Sequence, residues 1–265
     1  MNWLLKSVLR ILFCVAIAIE LIGCCCINSL MFHPVRHYDA RHPGYVSIGK
    51  DGEKVAAIVG GQQKGRKALL YCHGNAEDAT GPMEYLEMAV GDVFTIAAVD
   101  YPGYGLSEGS PDEKGCYRNV HRLYDWLIDE RGFKPEDIIV FGFSIGTGPA
   151  TELAATKPVG GLVLQAPYLS APRIVTKVRL LPIDPFPNLK RIGDIKCPLV
   201  VIHGTDDSII PFAHGKELFE LAPEPKRFVA VEGADHNDLI GVLGLDEYSK
   251  LLKGFLNESC TAGGK

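Results

Sequence analysis

The chain has 265 residues, 47% hydrophobic and 22% charged, with a formal net charge of −5. That supplies enough apolar material for one large α/β domain or two small ones. The mild acidity, with no basic run and no basic stripe interleaved with aromatics, argues against a nucleic-acid partner. Four of the eight cysteines, Cys14, Cys24, Cys25 and Cys26, crowd the first 26 residues, and Cys72, Cys116, Cys197 and Cys260 are scattered singly. No paired C-x-x-C pattern follows, so no metal site is expected. Cys72 and Cys197 adjoin apolar runs and read as buried small hydrophobes. A disulfide among the four scattered cysteines is open, because sequence alone does not pair them.

The opening, MNWLLKSVLRILFCVAIAIELIGCCC, places Lys6 and Arg10 before the apolar run Ile11 to Ile19. Residues 1–23 read as a signal peptide or a membrane anchor. The end of this segment, Leu21-Ile22-Gly23-Cys24, resembles a bacterial lipoprotein signal, which implies a lipid on the Cys24 thiol and a location in the cell envelope. Two other readings stand beside it. An uncleaved transmembrane helix from Ile11 to about Phe32 is long enough, with Glu20 near mid-membrane at a cost of about 2.5–3.5 kcal/mol. The cluster Cys24-Cys25-Cys26 also suits S-palmitoylation. Each attaches the protein to a membrane through its N-terminus. Residues 24–45 then read as a tether, broken by Pro34, Pro43 and Gly44. His33, His37 and His42 lie in it, but their spacing in a proline-broken segment is a weak metal pattern.

From there a rhythm of short apolar runs sets in. Val55–Gly60 follows a Lys-Asp-Gly turn and reads as half of a β-hairpin. Ala68–Cys72, Thr95–Asp100, Ile138–Phe143, Gly161–Ala166, Pro198–His203 and Arg227–Glu232 are continuous and four to six residues long. Such runs read as strands buried on both faces. Between them, Glu113–Glu130 carries Tyr117, Val120, His121, Tyr124 and Leu127 at helical steps. Thr147–Thr156, His214–Leu221 and Leu239–Leu256 also suit helices. Strands alternating with helices predict a mostly parallel sheet covered on both faces, in a single domain over residues 46–265.

In such sheets ligands bind beyond the carboxyl ends of the strands. The loops there are rich in Ser, Asp, His, Asn and Gly: HGNAED after Cys72, SIGTGPA after Phe143, GTDDSIIP after His203, and GADHND after Glu232. Ser144 stands in the pattern G-x-S-x-G, between a predicted strand and a predicted helix. That context is the one a nucleophile elbow requires. Gly142 and Gly146 let neighbouring backbone approach, and Gly148 leaves room for helix packing. A phosphate loop would need a lysine that is absent, and a dinucleotide G-x-G-x-x-G is missing as well. No cofactor is implied.

A serine hydroxyl needs a base to take its proton. After Ser144 the histidines are His203, His214 and His236. His236, after the last strand, suits the base best, and His214 reads as an ordinary surface residue. The acid that orients the base falls after the preceding strand, where Asp206 and Asp207 both stand.

Together the blocks H-G-N-A, D-Y-P-G-Y-G-x-S, G-x-S-x-G, H-G-x-x-D and G-x-x-H, in this order, resemble the α/β-hydrolase superfamily. Within it the chain is similar to membrane-attached esterases and depalmitoylating thioesterases, from about His33 to the last helix. The resemblance implies an α/β-hydrolase fold with a short cap over about residues 168–196. It implies Asp207 as the acid, with Asp206 left to form the turn. It implies the backbone N–H groups of Ile145 and Asn75 as the oxyanion hole. His73 would shape its loop, and Asp100 would be structural. An aspartate at the elbow would mark dehalogenases and epoxide hydrolases, and a cysteine dienelactone hydrolases; Ser144 is neither. The expected activity is hydrolysis of an ester or thioester of a small-molecule or acyl substrate. The alternatives are a non-catalytic, membrane-tethered binding protein on the same scaffold, and a peptidase or amidase.

Overall fold

The computed structural model describes residues 31–61, 67–175 and 184–262, together with residues 7, 10, 28 and 29. Cys24, its two neighbouring cysteines and nearly all of the segment read as a signal or anchor lie outside the described residues, as does the cap stretch 176–183. No helix among the described residues is long and apolar enough to cross a membrane.

Each apolar run forms a strand, within a residue of its expected ends. The strands are β1 (Tyr45–Ile48), β2 (Val55–Gly61), β3 (Lys67–Cys72), β4 (Phe94–Val99), β5 (Ile138–Phe143), β6 (Gly161–Gln165), β7 (Leu199–Gly204) and β8 (Lys226–Val231). They make one sheet in the order β1-β2-β4-β3-β5-β6-β7-β8. Strand β2 is antiparallel to β1 and β4, and every other neighbouring pair is parallel. This is the α/β-hydrolase architecture that the resemblance implied.

Side-chain alternation splits the core into two layers. Ala68, Leu70 and Cys72 of β3 face one side, with Val140 of β5; Leu69 and Tyr71 face the other, with Phe141. The first layer is closed by α2 (Glu113–Asp129), α3 (Thr147–Thr156) and α6 (Phe212–Leu221), and the second by α1 (Met83–Val90) and α8 (Leu245–Ala262). Helix α2 starts where the Asp112 carboxylate accepts the Gly115 N–H, an N-cap. It buries Cys116, Val120, Leu123, Tyr124 and Leu127, while Tyr117 and His121 sit half-buried at the margin. Short helices α4 (Ala171–Val175) and α5 (Asn188–Arg191) lie within the stretch read as the cap, one on each side of residues 176–183.

Two expectations need revision, and an open question is settled. The helix read over Leu239–Leu256 is two, α7 (Leu239–Leu243) and α8, because Gly244 adopts φ +83 and its N–H closes on Ile240 O at 2.8 Å. In the stretch read as a tether, Phe32 and Tyr38 are buried while most of the other residues up to Pro43 are exposed. Phe32, taken as the far end of an anchor, is buried edge-on to Phe186 at 6.1 Å, so it belongs to the body. Finally, Cys72, Cys116 and Cys197 are free and buried, so none of them pairs with another.

Candidate active site

Ser144 follows β5 directly and opens a 3-10 turn, Ser144–Gly146, that runs into α3. Its φ is +51, a left-handed conformation that a non-glycine residue holds only when its surroundings enforce it. Those surroundings are backbone. A Cβ on Gly142 would lie 2.6 Å from Gly146 O, and one on Gly146 would collide with Cys72 O and come within 2.7 Å of His73 O. The room at Gly148 serves the cap rather than a helix, since a Cβ there would meet the Phe186 ring at 2.5 Å and the Tyr168 hydroxyl at 2.6 Å.

The structure brings Ser144, His236 and Asp207 into one line. Ser144 Oγ lies 2.9 Å from His236 Nε2, and His236 Nδ1 lies 2.9 Å from Asp207 Oδ2. A carboxylate only accepts, so the Nδ1 of His236 carries the proton and its Nε2 is left to accept from the serine hydroxyl. Both His236 and Asp207 are buried, and the Phe143 ring lies against the imidazole at 5.3 Å. Asp206 is exposed and, among the described residues, its carboxylate receives the Thr205 hydroxyl, whereas Asp207 is the one of the two that meets His236.

Asp207 is fully engaged. Its Oδ1 accepts the N–H groups of Ile209 at 3.0 Å and Ile210 at 2.7 Å. Its Oδ2 faces the Nε2 of buried His203 at 3.2 Å as well as His236. Burial alone would push this carboxyl up. The hydrogen bonds from His203, His236 and the Ile210 N–H outweigh that and hold it well below the ordinary carboxylate range. The loops carrying Asp207 and His236 are strapped together by Asp235. Its Oδ1 accepts the Ser208 N–H at 2.7 Å, the Ser208 hydroxyl at 2.8 Å and the His236 N–H at 2.7 Å.

Ile145, the expected first oxyanion donor, is the second residue of the turn, where helical N–H groups have no partner of their own. Asn75, the expected second donor, lies in the loop after β3. His73 shapes that loop: its Nδ1 meets Gly74 O at 2.7 Å, its carbonyl accepts the Tyr101 hydroxyl at 2.8 Å, and burial pushes its imidazole down to about 4. The Glu77 carboxylate accepts the Gly74 N–H, and burial pushes that carboxyl up to about 7. Asp100 is buried, taking the Tyr38 hydroxyl and the Ala79 N–H. His214 departs from expectation: it is half-buried, and burial, with His203 nearby, pushes it down.

Sequence reasoning left three contributors out. His203 opens the same H-G-x-x-D block as Asp207, and a histidine four residues before that aspartate was the available signal. Asp235 and Glu77 gave none, since Glu77 acts through a backbone N–H and Asp235 through two backbone N–H groups and the Ser208 hydroxyl. Among the described residues no cluster of His, Cys, Asp or Glu is arranged to hold a metal.

The comparisons with known proteins agree with this architecture. A family profile for the alpha/beta hydrolase fold matches residues 67–185. The human alpha/beta hydrolase domain-containing protein 17B is 36% identical over 213 residues, which cover 78% of this chain and 72% of that protein. This chain belongs to the α/β-hydrolase family. The Caenorhabditis elegans alpha/beta hydrolase domain-containing protein aho-3 is 38% identical to this α/β hydrolase over 175 residues, 64% of this chain and 52% of the relative. Among solved structures, the Pyrococcus furiosus esterase Pf2001 is similar with a TM-score of 0.67 at 20% identity, covering 85% of this α/β hydrolase and 98% of the esterase. A membrane phospholipase A described as a bacterial virulence factor is similar with a TM-score of 0.64 at 15% identity, covering 98% and 99% of the two chains. At those identities the likeness speaks for the fold.

Proposed function

We propose that this α/β hydrolase cleaves carboxylic esters or thioesters through an acyl-enzyme on Ser144. The observation that carries the reading is the line from Ser144 Oγ through His236 to Asp207, each step 2.9 Å, built on a serine at φ +51. Ser144 Oγ attacks the carbonyl carbon while His236 Nε2 takes the hydroxyl proton. Asp207 holds the imidazole in the tautomer with the proton on Nδ1 and stabilises the imidazolium that forms. The N–H groups of Ile145 and Asn75 receive the carbonyl oxygen as it becomes negative, at about 3–4 kcal/mol per donor. His236 then protonates the departing alcohol or thiol, and water, deprotonated by the same imidazole, releases the acid and restores the serine.

The N-terminal segment attaches the enzyme to a membrane in this proposal, through lipid on Cys24 or its neighbours. Hydroxylamine sorts the chemistry: it strips a thioester-linked acyl group and leaves a thioether-linked lipid.

The deciding experiment is hydrolysis of p-nitrophenyl esters from acetyl to palmitoyl, beside Ser144→Ala. Loss of activity and of fluorophosphonate labelling in a folded variant is the expected result, and the chain-length optimum separates small esters from long acyl groups. Labelling that persists in Ser144→Ala sinks the assignment.

A further inference from the structure

The stretch between the N-terminal segment and β1 takes no part in the chemistry above, yet it is bonded along its length to loops at the carboxyl edge of the sheet. Val35 O accepts the Gly105 N–H at 2.8 Å, Asp78 Oδ2 accepts the His37 N–H at 2.5 Å, and the Tyr38 hydroxyl donates to Asp100. Its first residues are held chiefly by the side chain of Asn75, with the Tyr104 hydroxyl beside it. Asn75 Nδ2 donates to Met31 O at 2.8 Å, and Asn75 Oδ1 accepts the His33 N–H at 2.9 Å and the Tyr104 hydroxyl at 2.6 Å. The His33 N–H also reaches the Tyr104 hydroxyl at 3.0 Å. Between the two backbone contacts, Phe32 is plugged into the core at 3% exposure.

The amide of Asn75 therefore spends its hydrogen bonds on residues more than forty positions upstream and on Tyr104, while its backbone lies in the loop that begins with His73 and Gly74 against Gly146 and Phe143 of the elbow. That loop does not rest in a relaxed shape. Ala76, next in the chain, adopts φ +56, which a residue with a side chain holds only under constraint. On one side the constraint is the Glu77 carboxylate on the Gly74 N–H. On the other it is the Asn75 amide gripped by the backbone of residues 31–33.

We infer that the Asn75 side chain, clamped to the Met31 carbonyl and the His33 N–H, is a positioning group that aims the Asn75 backbone N–H at the oxyanion, and that the Met31–His33 strap is the other half of this device. The inference rests on the reading of the Asn75 N–H as an oxyanion donor. The joint through which the N-terminal segment enters the body is thereby a mechanical part of the site.

The test uses the full chain and two variants. Asn75→Ala removes the clamp and keeps the backbone N–H. His33→Pro removes the strap's N–H donor and leaves Asn75 untouched. Each is expected to lower kcat for p-nitrophenyl butyrate by about 10–100-fold, the scale of a misaimed catalytic group, with KM within about threefold of native. Affinity for an aryl trifluoromethyl ketone, whose serine adduct carries the oxyanion, falls in parallel with kcat/KM. A native kcat in either folded variant, or a loss carried by KM with native ketone affinity, overturns the inference. Should Asn75→Ala fail to fold, His33→Pro decides alone. Ser144→Ala separates the two levels: if it retains hydrolysis, the reading of the site falls, and if it is inactive while the two variants match the native enzyme, only the clamp falls.

Discussion

His203 Nε2 lies 3.2 Å from Asp207 Oδ2, the oxygen that also receives His236 at 2.9 Å. Because the Ile210 carbonyl faces the same nitrogen at 3.0 Å, Nε2 meets only acceptors and must carry the proton. His203 thus donates to the carboxylate and competes with His236 for its charge. Removing it in His203→Ala lets the Asp207 carboxyl rise toward the ordinary range, so the loss of stability in acid sets in at higher pH. The buried cavity and the lost charge-assisted bond together cost about 3 kcal/mol in urea unfolding. A profile of stability against pH that runs parallel to the native one would show that His203 only fills space.

Gly146→Ala tests the backbone crowding at the elbow. Its new methyl group collides with the Cys72 carbonyl, so the turn must shift. The expected cost is about 1–3 kcal/mol of stability, with slowed fluorophosphonate labelling. Gly241→Ala in α7 is the contrast, because a Cβ there meets nothing within 4 Å. It is expected to label at the native rate and to gain about 0.5–1 kcal/mol from helix propensity.

Stability responds to pH through Glu77. Its carboxyl is raised, chiefly by burial, from 4.5 to about 7. A folded value above the unfolded one means that the contribution is complete below pH 4.5 and is lost as pH rises through about 7. Asp100, raised by burial to about 7, acts in the same direction. Asp207, depressed, acts oppositely: its contribution is present above the ordinary carboxylate range and lost in acid. The native Tm should therefore decline from mildly acid to mildly alkaline buffer. Glu77→Gln should flatten that decline by on the order of 2 kcal/mol, measured by urea titration at each pH. Parallel native and variant curves would rule the account out.

Phe186 closes the descending end of the cap. It is fully buried, lies edge-on to Phe32 at 6.1 Å and Tyr117 at 5.6 Å, and holds φ +51. Phe186→Ala is expected to destabilise the fold by about 3–5 kcal/mol. A loss under 1 kcal/mol would mean that the ring is not anchored as described.

Much of this was legible in sequence, and the part that was not has a common cause. The strands declare themselves because a strand covered on both faces must be apolar at every position, as Ile138–Phe143 is. Ser144, Asp207 and His236 could be found because a parallel sheet gathers its strand ends at one edge. Strand β1 was hidden because Tyr45–Ile48 is a short, half-buried edge strand, and α1 because its eight residues lie between Pro82 and Gly91. The packing of Met31–Tyr38 was hidden for a different reason. Apart from the Phe32 ring and the Tyr38 hydroxyl, its attachments run through the backbone groups Met31 O, His33 N, Val35 O and His37 N, which a sequence pattern does not mark. His203 was read as a strand end because nothing in a linear pattern says that one carboxylate oxygen will take two imidazoles.

The grip of Asn75 on Met31 also sets a leash. Seven peptide steps separate Cys24 from Met31, and fully extended they reach about 25 Å. A lipid on Cys24 would then hold Met31, bonded at the carboxyl edge of the sheet, within that distance of the bilayer surface. An enzyme moored so closely, and by its working end, samples what the membrane displays at short range and is poorly placed to reach bonds far from it.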